Sequence, residues 1–252
     1  MTFLAASRRF NAGGDVVGRS THHRRLWGLL AIVGLAVPVC VMGQTTAQDA
    51  RAAAITEKGN DHGVPACVSC HGPHLLGNPA LGYPRIAGQS APYVTEQLEA
   101  LASGTRKNPL MMPIAKALTP AEREALAHYL SGLPVGRAPT PDTLAQRADS
   151  ATRHAGEVLA MRGRWADTLP ACDRCHGPGG IGVGTAFPPL AGQPVRYLTD
   201  QLHMWQQGTR GPGPLDLMST IAKRMSEEDV AAVAAYYALQ PPTPPTAKAS
   251  RP

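Results

Sequence analysis

Phenylalanine is almost missing from this chain, with three in 252 residues and an aromatic share of only 5%. No stretch alternates apolar and polar residues over the length of a strand, and 26 glycines and 24 prolines interrupt the sequence. Extended β structure is therefore not expected, because strands draw on aromatic and β-branched residues at period two. Acidic residues are also short, 18 against 24 Lys and Arg, which leaves a formal charge of +6. That surplus reads as a nucleic-acid or membrane-surface signal until it is located. Residues 1–47 hold Arg8, Arg9, Arg19, Arg24 and Arg25 against a single acid, Asp15, and the remainder carries 19 basic and 17 acidic residues. The basic excess belongs to the leader, so nucleic-acid binding is not expected.

A long membrane span is absent too. The apolar run from Leu26 to Met42 has 17 residues, marginal for crossing a bilayer. His22-His23-Arg24-Arg25 precede it and Thr45-Thr46-Ala47 follow it. A charged start, an apolar middle and a small-residue exit make a secretory signal. The expected leader is 1–47, cut before Gln48, with cleavage after Gly43 as the alternative and an uncleaved anchor the lesser reading. Cys40 goes with the leader, since Val39 stands where a lipoprotein signal needs a small residue. The expected location is the periplasm, and peripheral association with a membrane stays open.

What remains is one unit written twice, at a spacing of about 105 residues. Cys67–His71 matches Cys172–His176. Ile86-Ala87-Gly88-Gln89 matches Leu190-Ala191-Gly192-Gln193, and Tyr93…Gln97-Leu98 matches Tyr197…Gln201-Leu202. Gly104-Thr105-Arg106 matches Gly208-Thr209-Arg210; Met111 with Ile114-Ala115-Lys116 matches Met218 with Ile221-Ala222-Lys223. Order and period both hold, as in a tandem duplication. The expected domains are 48–135 and 151–241, joined by an irregular Pro/Gly-rich linker at 136–150 and followed by a Pro-rich tail at 242–252. Each unit reads as all-α, with three or four helices. Thr119-Pro120-Ala121-Glu122 and Ser226-Glu227-Glu228-Asp229 are helix starts. Val94, Leu98, Leu101 and Leu198, Leu202, Trp205 keep helical spacing. A further helix precedes each cysteine pair, at Thr152–Arg162 and, shorter, at Arg51–Lys58.

Cysteine is scarce, but four of the five stand in two Cys-x-x-Cys-His motifs: Cys67, Cys70, His71 and Cys172, Cys175, His176. This spacing brings two thiols to the two vinyl groups of one haem, as thioethers, and sets the next residue, His, on the iron. Structural zinc would want cysteine pairs some 15–20 residues apart, and a thioredoxin-like pair a strand–helix context; neither is present. Two haem c groups are the expected cofactors. A small domain buries a limited core, and a bonded apolar cofactor would supply the rest.

The sixth ligand decides between carrier and catalyst, since an open iron position admits oxygen or peroxide chemistry. Met111 and Met218 stand at matching places in the two copies, each expected in a loop instead of on a helical stripe, and are the candidates. Met112 is the rival in the first copy, although the repeat pairs it with Ser219; Met225 and Met204 read as packing. Pro84 and Pro188 are candidates to accept the other ring N–H of each His. Arg106 and Arg210 are candidates to pair with haem propionates, against the reading of plain solvated charges.

These pieces together resemble the dihaem cytochrome c4 family. Beyond the haem motifs, the series Ala-Gly-Gln, Tyr, Gln-Leu, Gly-Thr-Arg and Met, present in both halves over residues 52–240, carries the resemblance. It implies two class I cytochrome c domains packed with their haems near each other, and His71 with Met111 and His176 with Met218 as axial pairs. It implies a non-enzymatic electron carrier between a quinol-oxidising complex and a haem–copper terminal oxidase. The alternatives are a cytochrome subunit of a larger dehydrogenase or reductase, and a dihaem enzyme such as a peroxidase.

Overall fold

The computed structural model describes residues 39–211 and 213–242; the expected leader, but for its last residues, and nearly all of the Pro-rich tail lie outside them. The described residues belong to one compact unit. They form eleven α-helices joined by turns, 3₁₀ segments and isolated two-residue bridges, with no strand among the described residues.

The first copy contains α1 (Val39–Lys58), α2 (Val68–His71), α3 (Ala91–Ser103), α4 (Met111–Ala117) and α5 (Pro120–Gly132). The second contains α6 (Thr143–Arg147), α7 (Ser150–Met161), α8 (Asp173–His176), α9 (Val195–Gln206), α10 (Leu217–Ala222) and α11 (Glu227–Leu239). In each copy the last helix is the spine, with α1 and α3 packed on α5, and α7 and α9 on α11. Ala52, Ile55, Leu118 and Leu126 make one apolar cluster, and Leu159, Leu198, Leu202, Val230 and Val233 its counterpart. Leu126, Leu198, Leu202, Val230 and Val233 among them follow the 3.6-residue period.

The spine helices start where their sequence says. Thr119 accepts from the Glu122 N–H while Glu122 accepts from the Thr119 N–H, and Ser226 and Asp229 repeat this box. Each boxed acid has a second task. Arg51 of α1 donates to Glu122 at 3.0 Å, and Arg164 grips both oxygens of Asp229 at 2.8 and 2.7 Å. The cap and the clamp on the leading segment are thus one carboxylate, in both copies.

Three expectations are corrected. The leading helix of the first copy runs Val39–Lys58, not Arg51–Lys58, because no Gly or Pro interrupts it between residues 44 and 58. The linker at 136–150 is not wholly irregular: Asp142 accepts from the N–H groups of Leu144 and Ala145 and starts α6, and its other oxygen takes the Val195 N–H. Met111 and Met218 lie not in loops but in the first turns of α4 and α10. For α4 the cause is Asn108, whose side-chain oxygen accepts from Leu110 and Met111 at 3.1 and 2.8 Å.

Candidate functional site

Both Cys-x-x-Cys-His motifs are wound into single helical turns, α2 and α8, in which the His N–H bonds back to the first cysteine carbonyl at 2.9 Å. A glycine ends each turn, Gly72 and Gly177, both at φ 76°, where a side chain would be strained. The backbone then curls so that Pro84 and Pro188 return to the imidazoles. His71 Nδ1 donates to the Pro84 carbonyl at 2.9 Å, and His176 Nδ1 to that of Pro188 at 2.8 Å. A carbonyl only accepts, so the proton sits on Nδ1 and Nε2 is left with its lone pair. Burial pushes both imidazoles below their ordinary range, against the Pro carbonyl bond that pushes back. They are held as neutral, ligand-competent rings.

These rings line a cavity of about 1690 Å³, larger than the roughly 300–1,000 Å³ of a single small-molecule site. Cys67, Cys70, Met111, Cys172, Cys175 and Met218 line it too. Burial pushes the thiols of Cys67 and Cys172 up to about 11, so both are neutral SH groups. None of the four cysteines is in a disulfide. Met112 does not line the cavity; its Cε lies 3.6 Å from where a Cβ on Gly104 would stand. The structure therefore separates the two neighbouring methionines. Met225 is buried in the core cluster, though it touches the cavity wall.

Sequence reasoning missed two groups, Arg85 on the cavity wall and Asp173, which bonds Tyr237 of that wall. Asp173, the second residue of its motif, accepts from the Tyr237 hydroxyl at 2.8 Å and from the Gly179 N–H at 3.0 Å; the first copy has Val68 and Leu130 in these places. Arg85 is 1% exposed and donates only to backbone carbonyls, those of Ala87 and Ala191. Arg106 and Arg210 are not solvated charges: Arg210 is buried and Arg106 half-buried, and they lie between the two copies. Their acceptors are Gln97, Gln201 and the hydroxyls of Tyr93 and Tyr197. All are neutral.

The site suits covalently bound haem on each count the residues can test. Two thiols and a neutral imidazole stand together twice, in an apolar cavity with a thioether on its wall. Three guanidiniums at the same cavity have no carboxylate partner among the described residues, and the Nε–H groups of Arg85 and Arg106 are buried without any partner. Unpaired buried cations are costly, and the two carboxylates that each haem carries are the missing charge.

Comparison with known proteins gives the same answer. Residues 52–134 match the family model described as cytochrome c, and residues 157–236 that of cytochrome c oxidase, cbb3-type, subunit III. The chain is 46% identical over 183 residues to the thiosulfate dehydrogenase electron acceptor of Stutzerimonas stutzeri, covering 73% of this chain and 82% of that one. It is 32% identical to cytochrome c4 of Pseudomonas aeruginosa, over 85% and 97% of the two chains. Among solved structures it is similar to thiosulfate dehydrogenase TsdBA of Marichromatium purpuratum, at 40% identity and TM-score 0.69, over 77% of this chain but only 40% of that one. It is similar also to reduced cytochrome c4 of Pseudomonas stutzeri, at 29% identity and TM-score 0.61, over 78% and 98%. Two matched Cys-x-x-Cys-His motifs on one apolar cavity in an all-helical duplicate, with these relatives, mean that the chain carries two haem c groups, transfers electrons and belongs to the dihaem cytochrome c4 family.

Proposed function

We propose that this chain is an exported carrier that takes electrons from a thiosulfate-oxidising dehydrogenase and delivers them toward a terminal oxidase. The observation behind the donor is the likeness, over 73% of this chain and 82% of the relative, to a protein named for accepting electrons from thiosulfate dehydrogenase. The quinol-oxidising donor implied by the family resemblance is the less supported end. In this reading residues 1–47 are a leader for export to the periplasm, 48–135 and 151–241 are the haem domains, and 242–252 is a tail. No helix among the described residues is long and apolar enough to cross a membrane.

Cys67 and Cys70 hold one haem and Cys172 and Cys175 the other. His71 with Met111 and His176 with Met218 would supply the protein ligands to the two irons. Each bound haem supplies a one-electron iron couple, and no substrate bond is made or broken. The chain's own part is to fix and tune. Pro84 and Pro188 hold the imidazoles in one tautomer, the apolar wall excludes water, and the soft Met thioethers favour the ferrous state. Two equivalent methionines on the cavity wall argue against an open iron and hence against a peroxidase. A permanent subunit is the second reading, because the chain corresponds to 40% of the longer TsdBA chain.

Stopped-flow reduction of the purified holoprotein tests the donor. With thiosulfate plus a thiosulfate dehydrogenase, both haems are expected to reduce at rates that rise with dehydrogenase concentration; with thiosulfate alone, neither. Reduction by thiosulfate alone would sink the carrier reading. Copurification with the dehydrogenase at fixed stoichiometry would favour the subunit.

A further inference from the structure

Repeat symmetry fails at one buried position between the copies, and the failure is chemically specific. Arg85 follows Pro84, the residue that holds His71. Its counterpart after Pro188 is Pro189. Gln193 closes on the Arg85 backbone from the other copy, accepting its N–H at 3.0 Å and donating to its carbonyl at 2.8 Å. The matching residue in the first copy, Gln89, is 4% exposed, yet its Oε1 is buried with no donor. Pro189 has no N–H to give it. The duplicate has given up half of a symmetric backbone clasp.

The Arg85 side chain runs to the centre of the same interface. One terminal nitrogen donates to Ala87 O at 2.7 Å and the other to Ala191 O at 3.1 Å. Ala87 and Ala191 are equivalent residues of the two copies. A group that bonds both sits near the pseudo-two-fold axis, about equally placed with respect to each domain. Burial pulls this guanidinium down to about 10, with no acid beside it to push back, so it remains a cation at neutral pH. Its Nε–H is unpartnered, and the residue lines the cavity shared by both motifs.

We propose that Arg85 is a carboxylate site common to the two haem domains: it takes haem propionate at the interface, and one cation from the first copy thereby fastens both copies and acts on both irons. This rests on the reading that each domain holds a haem through its own Cys-x-x-Cys-His motif. The two carbonyls fix the direction of the guanidinium but neutralise none of its charge, which a carboxylate must do if the desolvation is to be repaid. A positive charge near a haem disfavours the ferric state and so raises the potential. A charge near the axis raises both potentials, whereas a one-sided charge raises one.

The experiment is a spectroelectrochemical titration of the holoprotein as wild type, Arg85→Gln and Arg85→Lys. In R85Q both potentials are expected to fall, each by about tenfold in the ferric-to-ferrous ratio, which is about 59 mV for a one-electron couple. In R85K, which keeps the charge, both are expected to stay near the wild-type values. The haem propionate bending band in resonance Raman spectra should shift in R85Q. A fall in one potential only, R85K behaving as R85Q, or an unmoved propionate band would each overturn the proposal.

If R85Q does not accumulate, the wild type decides. In ¹⁵N-labelled holoprotein the Arg85 Nε–H resonance should move at both one-electron steps of stepwise reduction, and movement at a single step would refute a shared site. Haem counting by the pyridine haemochrome keeps the two levels apart. Fewer than two attached haems in the wild type is a failure of the haem reading. Two attached haems whose potentials ignore Arg85 is a failure of this proposal alone.

Discussion

Arg106 and Arg210 meet across the boundary between the two copies, their backbones forming an antiparallel bridge and their guanidiniums crossing into opposite domains. Arg106 reaches Tyr197 Oη at 3.2 Å and Gln201 Oε1 at 2.6 Å. Arg210 reaches Tyr93 Oη at 3.1 Å and Gln97 Oε1 at 2.9 Å. Each also donates to the Gln of its own copy. The duplication has turned two equivalent residues into one isologous contact, in which every bond occurs twice.

Like charges repel, and burial leaves little water between these two; each nevertheless supplies donors that the other copy needs. Arg106→Gln and Arg210→Gln alone are each expected to destabilise the holoprotein by roughly 2 kcal/mol, the scale for losing bonds to a charged donor. The second substitution should cost more than the first, because the first has already relieved the repulsion. A double-mutant cycle by urea unfolding checks this; strict additivity would mean that the two guanidiniums do not sense each other.

Met111 and Met112 are adjacent in sequence and divergent in space, the one on the cavity wall and the other toward Gly104. Substituting the true ligand removes the Met–iron charge-transfer band of one ferric haem. Met111→Ala and Met218→Ala should each halve the band, and Met112→Ala should leave it whole. A halved band in M112A would reverse the assignment in the first copy.

Much of this site was legible because its chemistry is local. A haem motif, a Pro at fixed distance and a capping box each lie within a few residues of one another, and the repeat gave every reading a second witness. Burial and long-range pairing are not local. Arg106 and Arg210 carried the sequence signal, a repeated Gly-Thr-Arg, but nothing in one dimension revealed that the two would face each other. Arg85 had no counterpart, so the repeat drew attention away from it. Asp173 sat inside the motif as one of its variable residues, and its partner Tyr237 comes from the far end of α11, 64 positions later. The short α6 was hidden because its cap, Asp142, follows a proline-rich run that reads as linker.

The Arg164–Asp229 clamp makes stability depend on pH in a defined direction. The two guanidinium bonds of Arg164, the Ser226 N–H next, hold the Asp229 carboxyl below its usual range against burial, which pushes it up. A carboxyl whose folded pKa is depressed contributes stability above its unfolded value, near about 3.9, and loses it as pH falls through the folded one. Asp229→Asn keeps the cap acceptor and removes the charge. Because the Arg164 side chain is 40% exposed, solvent screens the pair, and the loss at neutral pH should be about 1 kcal/mol. The gap between wild type and D229N should close as pH falls from the unfolded value, about 3.9, through the depressed folded one; a gap independent of pH would assign the effect to packing.

Gly156 gives the sharpest test of how the second copy is packed. It sits in the middle of α7, where Gly costs roughly 1 kcal/mol relative to Ala, so on helix propensity alone Gly156→Ala should stabilise. The structure reverses the sign. A Cβ there would stand 2.1 Å from the Ala232 carbonyl oxygen and 2.8 Å from Tyr236 Cβ, so α7 and α11 touch backbone to backbone. The carbonyl belongs to a helix that also carries Tyr237 and Asp229 and cannot retreat alone. G156A should therefore lower the urea midpoint by an amount equivalent to about 1–3 kcal/mol, the usual cost of overpacking, with haem content unchanged. An exposed helix glycine would give the opposite result, and a stabilised G156A would mean that α7 does not lie against α11 as described.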